Sequence, residues 1–224
     1  MTSEHKQPPF FLLLALSVLL LASYFLFAGG PGHQSIRSER ELWNLGHIAY
    51  FALLVYLLAR LRGLQEISLP YQWLGLVVLS LVLGTLIEVL QYGTARSPDL
   101  FDISRDLTGC LLVLAFHPAF LRRVSRLWRY VIRVVVSLVL IIHLLPFLLA
   151  VLDETIARFQ FPVLSDFSTP FELERWGGGA SMEIVQLDAR SESHQLKIGL
   201  NTAQYSGVGM RYLVADWSAY SAVN

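Results

Sequence analysis

Apolar runs long enough to cross a bilayer limit this chain more than any other feature does. Phe10 to Ala28 is uninterrupted by charge over about 19 residues, and a helix of that length reaches across a hydrocarbon core of roughly 30 Å. Further runs cover about Leu42–Leu61, about Gln72–Gln91, Leu107–Leu121 (longer if the helix begins near Phe101) and Val131–Leu152. In lipid, backbone polar groups must be satisfied within the segment, so such runs become helices. The expectation is an all-α transmembrane bundle of about five helices over residues 1–152. The first run also admits a cleavable signal peptide, since Ala28-Gly29-Gly30 is small enough for cleavage. It exceeds a signal core of roughly 7–15 residues, which favours a retained helix.

Composition agrees. Hydrophobic residues make up 54% and charged residues 15%, with a mean hydropathy of +0.53, a membrane composition. The 17 basic and 17 acidic residues balance, which leaves no global field and no case for nucleic acid. Cys110 is the only cysteine, so there is no intrachain disulfide and no thiolate zinc pattern.

Basic residues collect on the cytoplasmic side of spanning segments. Arg122, Arg123, Arg126, Arg129 and Arg133 therefore place the fourth connection inside. The N-terminus then lies inside, the 29–41 loop outside, the Arg60–Arg62 loop inside, and both the 92–106 loop and the tail after Leu152 outside. The implied location is the plasma (inner) membrane, multi-pass.

Between the third and fourth runs lies GTLIEVLQYGTARSPDLFDISRDLTG, from Gly84 to Gly109. Glu88 and Gln91 are three apart at the end of an apolar segment, so they share one helix face, with Gly84 a turn earlier. Asp102, Asp106 and Gly109 mark one face of the next helix start. Ionisable residues at membrane depth are costly and face a bundle interior, which makes these residues candidates for function. A plainer reading of Asp102 and Asp106 is a favourable position at a positive helix N-terminus, with Arg96 and Asp99 in a solvated loop. With the orientation above, His47, Glu88, Gln91, Asp102 and Asp106 all lie near the outer face, and convergence into one pocket is the simplest arrangement.

Glu88-x-x-Gln91, then Arg96, Asp102, a polar residue four later and Gly109 resemble the signature of the VanZ-like family of bacterial membrane proteins. Asn44-Leu-Gly-His47 leading into Tyr50 and Phe51 resembles that family's histidine-bearing helix start. The resemblance covers about residues 40–120. Two positions depart from it: Asp106 stands where the family usually has Asn, adding a negative charge, and Val113 where it usually has a second Gly. Carboxylates that close cannot all ionise easily in a low-dielectric site. The expected relief is an arginine, Arg96 or Arg105, turned inward to pair with one of these carboxylates, and the family order points to Arg96.

After Asp153 the pattern changes to short alternating segments, Met182–Leu187 and Gln195–Leu200 among them, separated by Gly, Ser and Asn. Residues 153–224 therefore read as an extracytoplasmic β-rich region. Asp166-Phe167, Glu174-Arg175-Trp176, Tyr205-Ser206-Gly207 and Asp216-Trp217-Ser218-Ala219-Tyr220 resemble pieces of galactose-binding-type β-sandwich modules, many of which bind carbohydrate. A sandwich needs about 100 residues, so the expectation is an incomplete module and a chain that is a fragment of a longer one.

A pocket built from His47, Glu88, Gln91, Arg96, Asp102 and Asp106 admits three classes of function. The first is binding of a lipid-linked or cell-wall component, with Arg96 and His47 engaging phosphate or carboxylate. The resemblance agrees, since the family's founding member is linked to glycopeptide (teicoplanin) resistance. The second is a membrane enzyme acting on a lipid head group, with Glu88 as general acid/base. The third is a proton or solute path. The sequence carries no serine elbow, no HExxH and no phosphate-cradling Gly loop. Adjacent Arg96 and Arg105 speak against a metal cage, so neither a metal nor a cofactor is expected. The expected partners are the bilayer and a lipid-linked precursor or carbohydrate.

Overall fold

The computed structural model describes residues 9–27, 30–31, 35–91, 99–122, 124–186, 194–211 and 218. They divide between two compact units: Met1–Gly32 with Glu39–Pro146, and His33–Ser38 with Phe147–Asn224. The chain is mostly helical, with a small β region near the C-terminus.

The helices are α1 (Pro9–Phe27), α2 (Arg37–Leu58), α3 (Arg62–Glu66), α4 (Leu69–Gln91), α5 (Leu100–Phe116), α6 (Pro118–Leu121) and α7 (Arg126–Gln160). By length and composition α2, α4 and α7 are each able to cross a membrane. The apolar runs locate the helices, but α2 and α7 continue well past them. Arg37-Ser-Glu-Arg-Glu and Asp153-Glu-Thr-Ile-Ala-Arg contain the good helix formers Arg, Glu and Ala and no Gly or Pro, and they carry α2 and α7 beyond their apolar stretches. An apolar run ends where polar residues begin, whereas a helix ends where its hydrogen-bond ladder is interrupted. α5 shows this. It stops at Phe116 because Pro118 cannot continue the ladder and biases His117 toward extended backbone, seen at φ −75° and ψ 126°. Pro118 then opens α6, whose first turn is capped as the Ala119 amide donates to His117 Nδ1 at 3.3 Å.

Within the first unit the buried stripes follow the i, i+4 spacing of a helix face. On α2 the stripe is His47, Phe51 and Val55, with Ala59 just past its end; on α4 it is Gln72, Leu76, Ser80, Gly84 and Glu88. On α5 it is Asp102, Asp106 and Cys110, with Leu114 next. The outward faces are apolar, as at Leu74, Val78, Val82 and Leu86 of α4. This polarity is reversed relative to a water-soluble helix, and it suits helices that turn apolar faces to lipid and polar or small residues to one another.

α5 packs closely against both α2 and α4 because glycines stand at the contacts. A Cβ on Gly109 would overlap the Ile48 carbonyl oxygen of α2 and lie 2.9 Å from the Ala52 amide nitrogen. A Cβ on Gly84 of α4 would lie 2.5 Å from Asp106 Oδ2 of α5. Below the polar layer, Val55, Ala59, Leu76, Cys110, Leu114 and Phe120 form an apolar core.

The second unit is organised around buried charge. A 3-10 helix, Pro170–Arg175, carries fully buried Glu172 and Arg175. Glu172 accepts from the amides of Asp166, Phe167 and Thr169, each at 3.1 Å. Arg175 donates to Asp153 Oδ1 through Nη2 at 2.8 Å and Nε at 3.0 Å, and to the Leu164 carbonyl at 2.8 Å. Two antiparallel pairs follow: β1 (Trp176–Gly178) with β4 (Val208–Met210), and β2 (Ser181–Gln186) with β3 (His194–Gly199). Met182 faces Ile198 and Ile184 faces Leu196, within one residue of the alternation seen in the sequence. Trp176 donates through Nε1 to Ser165 Oγ at 3.1 Å and lies against Phe167, so this ring is occupied within its own unit. The Asp216-Trp217 and Ala219-Tyr220 pieces lie outside the described residues.

Candidate functional site

At one end of the polar stripes, α2, α4 and α5 bring His47, Glu88, Asp102 and Asp106 together. His47 follows Gly46 on α2 and heads that helix's buried stripe, so packing against Gly109 carries its imidazole onto the first turns of α5. Its Nδ1 pairs with Asp106 Oδ1 at 2.9 Å, and its Nε2 lies 3.5 Å from Asp102 Oδ2. The first separation is a hydrogen bond; the second is too long for one. Asp106 is fully buried and His47 is 1% exposed.

α5 begins at an N-cap that also reaches α4. The Asp99 side chain accepts from the Phe101 amide at 2.9 Å, which satisfies one orphan donor of the first turn. The Asp99 amide donates to Glu88 Oε2 at 2.7 Å, so the last turn of α4 is tied to the cap of α5. Glu88 is thereby turned inward with its Oε1 buried and without a hydrogen-bond partner among the described residues. His47 Nε2 and Asp106 Oδ2 are in the same condition.

Arg105 completes the cluster. Its Nη1 pairs with Asp102 Oδ1, three residues earlier on the same helix, and approaches Asp99 Oδ2 at 3.5 Å. Among the described residues of this cluster, the arginine that turns inward onto a carboxylate is Arg105. Asp106 takes His47 as its partner, and the inward arginine is Arg105, which serves Asp102. The reason is reach. Arg105 and Asp106 are adjacent and point about 100° apart around the helix, whereas Asp102 lies one turn back on the arginine's side. That i, i+3 spacing was the signal available for Arg105. Arg96 lies outside the described residues.

Gln91 shares Glu88's face, but its Nε2 donates to the Leu26 carbonyl in the last turn of α1 at 2.8 Å. It clamps the last turn of α4 to the C-terminal end of α1. One ligand-type atom from each of His47, Glu88 and Asp102 lies within 4.8 Å of the other two, the one such grouping among the described residues.

Beside the cluster, α1 and α2 enclose an apolar groove of about 460 Å³, with Phe25, Leu26, Trp43 and Tyr50 on its walls. Glu39 and His47 also line it. Its volume is in the range of small-molecule sites, and His47 belongs to both the groove and the polar cluster.

No protein-family model, no curated protein and no solved structure matches this chain.

Proposed function

We propose that this chain is a VanZ-like, multi-pass protein of the cell envelope whose polar pocket binds a lipid-linked or cell-wall component at the outer face of the membrane. The observation that carries the reading is the shared position of His47. An apolar groove and a cluster of buried hydrogen-bonding groups meet at one side chain, which is the lining an amphiphile needs: a chain in the groove and a polar head at the cluster. The unpartnered Glu88 oxygen and imidazole nitrogen suit head-group hydroxyls, as on a lipid-linked sugar. An effect on glycopeptide (teicoplanin) susceptibility follows if that component is the drug's target or its precursor.

Lipid and head-group profiling of membranes with the intact protein, with Glu88→Gln and without the protein tests this. The expected result is a change in one class of lipid-linked species on deletion, and the same change with Glu88→Gln. Identical profiles in all three would overturn the reading. The alternative is a membrane enzyme with Glu88 as general acid/base, favoured by the orphaned Oε1 beside an orphaned imidazole nitrogen. Accumulation of a substrate with loss of a matching product, rather than a change in occupancy alone, would select it.

The membrane arrangement belongs to the same proposal. α1, α2, α4, α5 and α7 are taken to span, with the arginine-rich connection before α7 inside and the second unit outside. α1 and α5 have 19 and 17 residues, about 25–29 Å of helix and close to the hydrocarbon thickness. A reporter that works only outside the cytoplasm, fused after Gln186, should be active. Activity of a cytoplasm-only reporter at that position would invert the orientation and move the pocket to the inner face.

A further inference from the structure

We propose that His47, Glu88 and Asp102 bind a divalent first-row transition-metal ion, with zinc as the reference case, leaving at least one coordination position open. The ligand atoms would be His47 Nε2, Glu88 Oε1 and Asp102 Oδ2. Two of them, Nε2 and Oε1, are buried and have no hydrogen-bond partner among the described residues, on side chains that are 1% and 5% exposed. Buried polar atoms are normally satisfied, so two orphans on side chains of one cluster call for an occupant. A metal ion satisfies both at once.

The spacing fits. Ligand atoms about 2.1 Å from a tetrahedral ion are about 3.4 Å apart, and Nε2 lies 3.5 Å from Asp102 Oδ2. One ligand-type atom from each of the three side chains lies within 4.8 Å of the other two, so closing onto an ion requires shifts of about 1 Å, within the range of side-chain torsions.

Each ligand is also held from behind by a separate hydrogen bond. Asp106 accepts from His47 Nδ1, which leaves the Nε2 lone pair free to bind, the carboxylate–histidine arrangement found behind metal-bound imidazoles. Arg105 pairs with the other oxygen of Asp102, and the Asp99 amide holds the other oxygen of Glu88. Arg105 thus supports a metal ligand from behind and does not oppose the site.

Charge points the same way. Among the described residues the buried cluster contains the Glu88, Asp102 and Asp106 carboxylates against the Arg105 guanidinium. With all three carboxylates ionised and the imidazole neutral the sum would be two negative charges, and a bound divalent cation both cancels that charge and favours the ionised forms. One nitrogen and two carboxylate oxygens favour zinc, iron or manganese over calcium and magnesium, which prefer all-oxygen shells. The competing arrangement is an imidazolium clamped between Asp102 and Asp106 with no ion bound.

The test uses the full chain, purified in detergent on a histidine-free tag and treated with chelator. Zinc ion alone is titrated calorimetrically and by thermal shift. The expected result is saturable binding of one ion per chain and a raised melting temperature, with no comparable response to calcium. His47→Ala should abolish binding, and Asp106→Asn should weaken it about 10–100-fold through loss of support for the imidazole. X-ray absorption at the zinc edge of the unsubstituted protein should show nitrogen and oxygen ligands, one imidazole and no sulfur, a result that needs no variant to fold. Absence of saturable zinc binding, unchanged binding in His47→Ala, or a sulfur ligand from Cys110 would overturn the proposal. These measurements involve no lipid, so their failure leaves the amphiphile reading standing, and failure of lipid profiling leaves the metal site standing.

Discussion

Replacing Arg175 with methionine is expected to unfold the second unit at a cost of about 3–5 kcal/mol, the range for breaking one side of a buried ion pair. Arg175 is 2% exposed and is bound to Asp153, Leu164 and Gln160. Removing its charge leaves the Asp153 carboxylate, itself 3% exposed, without its cationic partner. Glu172 suffers less, because its oxygens keep the amide donors of Asp166, Phe167 and Thr169. The double change Arg175→Met with Asp153→Leu should therefore be milder than the single one, since it removes the stranded charge as well. Thermal melting, together with the rate of tryptic cleavage after exposed Lys197, distinguishes the two. If the single variant melts like the parent, the hub has no structural role.

Enlarging Gly109 to valine is expected to prevent the first unit from assembling. The added Cβ would collide with backbone atoms of Ile48 and Ala52, and backbone cannot rotate out of the way as a side chain can. Overpacking of this kind costs about 1–3 kcal/mol, and more when the obstacle is rigid. Gly84→Ala should have a different signature. Its Cβ meets the tip of Asp106, so the helices can still pack, but Asp106 is pushed off His47 and any function that needs an oriented imidazole is lost. Gly75→Ala is the control, since nothing lies within 4 Å of the added methyl, and it should gain slightly in helix propensity. The expected order of accumulation in membranes is Gly75→Ala at parent level, Gly84→Ala close to it, and Gly109→Val far below. Equal accumulation of all three would show that the close approach of α5 to α2 is wrong.

Much of this molecule could be read from the chain. Apolar runs located the long helices, and the β2–β3 hairpin came within one residue of the alternation that marked it. The i, i+4 spacing of Glu88 with Gly84, and of Asp106 with Asp102, put the polar residues on inward faces, because helical period alone decides which side chains share a face. Helix ends were less legible: α2 and α7 run into charged sequence, and hydrogen-bond ladders take no account of the polarity that ends an apolar run.

Partner choice is where sequence reading gave out. Nothing local separates Asp102 from Asp106 as the partner of His47, which lies 59 residues away from Asp106 along the chain. Gln91 shares a face with Glu88 yet binds the Leu26 carbonyl, because the end of α1 happens to lie within its reach. The chain by itself determined the membrane composition, the main helices and the inward direction of the charged side chains. Tertiary structure alone decided which of them meet. That choice depends on the distance and rotation between α2, α4 and α5, and these were set by two glycines whose missing side chains let backbone and carboxylate approach.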